Sequence, residues 1–101
     1  MASPKLRLIW SDAAEEDLLS IWRFGADEWS ATDADEHLRR IHHAAELLLD
    51  NAELGRGRKE LLRGARSIIV APHVLFYRII PNAIEVLRVY HQREDVDANF
   101  R

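Results

Sequence analysis

Cationic side chains crowd the second half of the chain. Arg56, Arg58, Lys59, Arg63, Arg66, Arg78, Arg88 and Arg93 are accompanied between residues 56 and 93 by only two acids, Glu60 and Glu85, and Tyr77, Tyr90 and His91 lie among them. Guanidinium groups grip phosphate oxygens bidentately and stabilise charge developing on them, and a tyrosine or histidine can move a proton. Those are the parts a metal-free ribonuclease needs. The same residue types also make a docking surface, or a solvated basic face with no specific ligand, and composition does not separate the three. Neighbouring strand residues face opposite ways, so Tyr90 and His91 converge on one phosphate only if the strand ends or bulges there.

Other chemistry is weaker. His42 and His43 are adjacent and so point about 100° apart on a helix, and His37 is no better spaced relative to them. His73 and His91 fall in strand-like runs without patterned acids, so the histidines read as surface residues and neither a metal nor another cofactor is expected. Trp22 and Trp29 share a helical face with Leu18, which favours core packing over a base-stacking platform. Gly55, Gly57 and Gly64 lie in a basic loop and not directly after a strand, which argues against a nucleotide-phosphate cradle.

The chain has 101 residues, 48% of them hydrophobic and 31% charged, which predicts one globular domain spanning residues 1–101. Absence of cysteine excludes a disulfide frame and a thiolate metal site, and fits the cytoplasm. No apolar leader core precedes the first strand and no run suits a membrane span, so no membrane association is expected. A net charge of −3 gives no general reason to expect nucleic acid, and no direct nucleic-acid contact is expected. The charge is segregated, however. Between residues 11 and 36 Arg23 is the one basic residue among nine acids, giving an acidic helical side and a basic side rooted in the loop and sheet.

The elements that must position these groups follow from periodicity. Residues 5–10 alternate as a strand that joins an edge of a later meander. Ser11 caps a helix ending near Trp29, with Ala14, Leu18, Ile21, Trp22, Gly25 and Trp29 at helical spacing. Thr32 or Asp33 caps a second helix, with Glu36 completing a capping box and Leu38, Ile41, Ala45, Leu48 and Ala52 as its apolar stripe. After a basic loop, three β-branched and aromatic runs are cut at Pro72 and at Pro81-Asn82. The order is β-α-α-β-β-β, an α+β fold with a helical hairpin on one face of a small, mainly antiparallel sheet. With Ile79 opposite Ile84, one face carries Leu75, Tyr77, Ile79, Ile84, Val86 and Arg88, the core face. The other carries Val74, Phe76, Arg78, Glu85, Leu87 and Val89, with Arg78 opposite Glu85. Its apolar members, Val74, Phe76, Leu87 and Val89, predict a partner surface or a patch covered by the polar tail after His91, which holds Phe100.

The helix SDAAEEDLLSIWRFGADEW, the loop LGRGRKELLRGARSI and the runs VLFYRII and IEVLRVYHQRED, in this order, resemble the ParE branch of the RelE/ParE toxin superfamily over residues 6–95. The resemblance implies the same fold. It also implies a bacterial toxin of a type II toxin–antitoxin module that poisons DNA gyrase without being an enzyme and is neutralised by a ParD-like antitoxin, in an assembly holding two toxins. Antitoxin contacts fall to Val74, Phe76, Leu87 and Val89, and target contacts to Arg56, Arg58, Lys59, Arg63, Arg66, Arg88 and Arg93. The alternative is a ribosome-dependent messenger-RNA endonuclease of the RelE/YoeB type, with Arg88, His91 and Arg93 as catalytic candidates, because Arg88-Val89-Tyr90-His91 is similar to the end of YoeB-like ribonucleases. Against it, Val74 stands where the RelE pattern has an arginine, and Asn99-Phe100 where it has a tyrosine.

Overall fold

A computed structural model describes residues 6–94. The chain runs β1 (Arg7–Trp10), α1 (Asp12–Glu28), α2 (Ala31–Leu47), β2 (Arg56–Gly57), β3 (Ala65–Val70), β4 (His73–Ile80) and β5 (Ala83–His91). The strands form one sheet in the order β1-β5-β4-β3-β2, in which only β1, against β5, is parallel. The α+β architecture is the one expected, with one addition. Arg56 and Gly57, read as loop, form a short edge strand opposite Ser67 and Arg66.

Each helix begins where a serine hydroxyl can accept an orphan amide. Ser11 Oγ accepts from Ala14 N–H at 3.0 Å, and Ser30 Oγ from Asp33 N–H at 3.0 Å. Ser30 therefore caps α2, not Thr32 or Asp33. A serine placed directly after the end of α1 lets the second helix start at once, and the hairpin connection shrinks to Trp29 and Ser30. Trp29 consequently leaves the apolar stripe of α1 and is 69% exposed, edge-on to Phe24. Trp22 is half-buried between the helices, where its Nε1–H donates to Asp35 at 2.7 Å.

The helical hairpin covers one sheet face. Ala14 and Leu18 of α1, with Ile41, Ala45 and Leu48 of the second helix and its cap, meet Leu75, Tyr77, Ile84, Val86 and Val89. Each large aliphatic side chain buried there contributes about 1.5 to 3 kcal/mol. The turn between β4 and β5 is Pro81-Asn82, with Asn82 at φ 64°, and it sets Ile79 opposite Ile84 and Arg78 opposite Glu85 as expected. Ile79 itself is 41% exposed, because it sits beyond the end of the helical cover.

Past Val86 the simple alternation fails. Tyr77 pairs with Val86 but Phe76 pairs with Arg88, so Leu87 is an extra residue in β5, a β-bulge. Everything after it changes side. Val89, assigned above to the open face, turns into the core at 3% exposure, and Arg88, assigned to the core face, turns out to the open face over the Tyr90 ring.

Tyr77 is also the pin for the loop after α2. Its hydroxyl donates to Ala52 C=O at 2.7 Å and accepts from Gly55 N–H at 2.8 Å. A Cβ at Gly55 would lie 2.6 Å from that hydroxyl and 3.0 Å from Ser67 C=O, so this position admits only glycine without movement of a buried ring. Tyr77→Phe leaves both backbone groups unsatisfied in a buried place and should lower the unfolding free energy by about 1 to 3 kcal/mol. Urea denaturation reads this directly, and an unchanged midpoint would mean that the loop is not pinned there.

Candidate functional site

Three places gather chemistry. The first is the junction of α1 with the β5 bulge. Ser11 N–H donates to Val86 C=O at 3.0 Å and Ser11 Oγ to Leu87 C=O at 2.8 Å. Nearly two turns on, Asp17 takes both Arg88 Nε and Nη2 at 2.8 Å, and its Oδ2 also accepts Val89 N–H at 2.9 Å. Asp17 thus holds the Arg88 guanidinium by a bidentate pair and keeps its pKa above the usual arginine value. Beyond Arg88, whose guanidinium carbon is 4.5 Å from the Tyr90 ring centroid, the open face carries Phe76 at 5.8 Å from Tyr90 and Arg58 at 5.2 Å over Phe76. Phe76 and Tyr90 are both buried, at 0% and 2% exposure, whereas Val74 and Leu87 remain half-buried. The open face is therefore less openly apolar than its sequence suggested. Burial raises the Tyr90 pKa, against the opposing effect of Arg88.

The second place was missed by the sequence reading. His37 of α2, His73 of β4 and His91 of β5 line a groove of about 510 Å³ beside the tip of the helical hairpin, with Phe24, Trp29 and Arg40 on its walls. Arg40 can only donate, so His37 accepts at Nδ1 (2.9 Å) and, neutral, donates from Nε2 to His73 Nδ1 at 2.8 Å. Burial, then the neighbouring His37 and His91, push the His73 pKa down to about 4. Burial and then Arg40 lower that of His37. A regular hairpin counted back from Ile79 and Ile84 would set His73 opposite Tyr90, and only the bulge brings it opposite His91, so the hairpin placed the two histidines near one another without pairing them. His37 reaches them only through tertiary packing. Among the described residues no group of three potential ligands is placed to hold a metal.

The third place is the basic segment 56–66. Here the charges are not equivalent. Arg58 is bound to Glu60 at 2.9 Å and Ser67 at 3.3 Å, and Arg66 to the carbonyls of Glu53 and Gly55 at 3.2 and 2.9 Å. Arg56, Lys59 and Arg63 are exposed and make no such bond.

The model of the family described as the ParE toxin of the type II toxin–antitoxin system parDE matches residues 8–96. The chain belongs to the ParE toxin family. It is 38% identical over 94 residues to Toxin ParE1 of Mycobacterium tuberculosis, strains CDC 1551 / Oshkosh and ATCC 25618 / H37Rv, covering 92% of this chain and 96% of that toxin. A solved structure titled a chromosomal ParDE TA system from P. aeruginosa shares the fold, with a TM-score of 0.77 at 23% identity over 88% of this chain and 98% of that one. No helix among the described residues of this ParE toxin is long and apolar enough to cross a membrane.

The catalytic candidates do not come together. Arg88 lies on the open face in the grip of Asp17, His91 lies on the helical side in the histidine groove, and the Arg93 side chain is exposed in the turn that follows, with its N–H on His91 Nδ1 at 3.1 Å. Asn99 and Phe100, where the ribonuclease pattern would need a tyrosine, lie outside the described residues.

Two outcomes follow from this geometry. Asp17→Ala removes the partner of a largely buried guanidinium and strands Val89 N–H, and should cost about 2 to 3 kcal/mol in urea unfolding; a loss below about 0.5 kcal/mol would mean that the clamp is only a surface ion pair. His73 takes up its proton near 6.5 when unfolded but only near 4 when folded. The unfolded chain therefore binds more protons in that window, and stability falls as pH drops through it. His73→Gln should flatten the pH dependence of the urea midpoint there, and an unchanged slope would contradict the assignment.

Proposed function

We propose that this ParE toxin stops bacterial growth by binding and poisoning DNA gyrase, a type II topoisomerase, in the cytoplasm, and that a ParD-like antitoxin neutralises it in an assembly holding two toxins. The observation that carries the choice of binding over catalysis is the Asp17–Arg88 clamp with its bulge. A ribonuclease of the RelE/YoeB type would need a free cation and a proton-transfer group converging on one ribose phosphate. Here Arg88 is already paired, Tyr90 is buried with a raised pKa, and His91 faces the other way. Val74, on the strand where an arginine would help, offers only an apolar side chain.

The antitoxin reading rests on the family and on the open face. Val74 and Leu87 are its half-buried apolar part and Phe76 is buried under Arg58 and against Tyr90, whereas Val89 belongs to the core. An apolar segment of the antitoxin laid across β4 and β5 would bury Val74 and Leu87 and shield the neighbouring cations.

Expression of the toxin without antitoxin, with plasmid supercoiling and message integrity followed together, separates the two classes. Lost supercoiling or broken DNA with intact messages is the expected result. Rapid codon-phased message cleavage that disappears in His91→Ala would replace this reading with the endonuclease. For the antitoxin, Val74→Glu combined with Leu87→Glu should weaken calorimetric affinity at least about 100-fold, as expected for loss of two interface anchors. An unchanged affinity in a folded variant would place the antitoxin elsewhere.

A further inference from the structure

Seven cations were grouped as target contacts from sequence, and the structure divides them by what they already hold. Arg58, Arg66 and Arg88 are committed within the fold, and Arg93 lies in the turn after β5. Arg56, Lys59 and Arg63 are exposed and held by no hydrogen bond or close ion pair, Arg56 acting on Glu60 only through its charge, and all three sit on the hairpin formed by β2, the turn after it and β3. Glu60, the single acid of that turn, is taken up by Arg58 at 2.9 Å. The hairpin is at the sheet edge opposite β1. A Cβ at Gly57 or Gly64 would meet nothing within 4 Å, so the backbone there is open to a close approach.

An edge ribbon with three free cations is suited to a polyanion. Protein interfaces centre on buried apolar and aromatic groups, and between residues 56 and 66 this hairpin exposes one large apolar side chain, Leu62, and no aromatic one, the exposed Ile69 lying farther along β3. Surfaces that bind nucleic acid are polar and strongly positive, and a two-stranded ribbon fits the major groove of a duplex. The acidic helices would repel DNA and so orient the molecule with this edge forward. The net charge of −3 pointed away from nucleic acid, but a sum over the whole chain carries no information about where the charges sit.

We propose that the 56–66 hairpin is a DNA-contacting surface, with Arg56, Lys59 and Arg63 each meeting a backbone phosphate of a duplex without reading its sequence. The inference rests on the gyrase reading and deepens it: the toxin touches the DNA that the topoisomerase holds as well as the enzyme.

The test measures binding of the purified toxin to a labelled duplex by fluorescence anisotropy over a range of salt, with toxin inhibition of gyrase supercoiling followed separately. Three phosphate contacts give a slope of log affinity against log salt of about −2.7. The triple variant Arg56→Gln, Lys59→Gln, Arg63→Gln should abolish that slope, and a control pair on the helices, Arg23→Gln with Arg39→Gln, should leave it. Absence of wild-type binding at low salt, an equal slope in the triple variant, an equal loss in the control pair, or equally tight binding of polyglutamate would each overturn the inference. A wild-type toxin that binds DNA in this way and leaves gyrase untouched refutes the gyrase reading and keeps the contact. One that stops gyrase without salt-dependent DNA binding does the reverse.

Discussion

One carboxylate, Asp17, decides which way the last strand faces. Its two oxygens satisfy the Arg88 guanidinium and the Val89 amide together, while Ser11, nearly two turns earlier, takes the carbonyls of Val86 and Leu87. A bulge leaves backbone groups out of the ladder, and those groups must find partners when the strand is covered. The start of α1 supplies them. With that junction in place, Val89 packs into the core and Arg88 lies over Tyr90. Without it, a regular β5 would drive Arg88 under the helices and Val89 out, burying a charge and exposing a core residue.

The architecture was largely legible in the sequence because its signals are local. Helical spacing from Ala14 to Gly25, the Ile41, Ala45, Leu48 stripe and the Pro81-Asn82 turn all specify neighbours a few residues apart, and each holds in the fold. The Arg78–Glu85 pair was legible for the same reason, since a tight turn fixes the first few pairs of a hairpin. The bulge was not. Nothing in the run EVLRVYH marks Leu87 as the extra residue, and what selects it is Asp17, 71 residues from Arg88. The same remoteness hid the histidine groove, where His37 and His73 are 36 positions apart. Sequence also could not sort the arginines, because whether a guanidinium is free depends on carbonyls and carboxylates brought to it by folding.

The two sides of the sheet differ in electrical character as a result. On the helical side, half-buried imidazoles are shifted toward the neutral form by desolvation, and an arginine forces their hydrogen-bond direction. On the open side, cations stand over aromatic rings, an arrangement that keeps the charge near the surface while the ring beneath it stays dry. The sheet's twisted ribbon therefore separates a face that resists protonation from one that displays positive charge, and the free cations accumulate at the edge farthest from β1.

The parallel pairing of β1 with β5 carries a consequence for how the molecule comes into being. Arg7 meets Ala83 and Trp10 meets Val86, so β1 has no hydrogen-bonding neighbour in the sheet until β5, the last of the described strands, exists. Such long loops close slowly, and local helical contacts form well before them. During synthesis the helical hairpin can assemble early, but the sheet edge, the bulge and its clamp must wait for β5 to leave the ribosome. A nascent or truncated chain that stops short of β5 therefore lacks both of the faces described above.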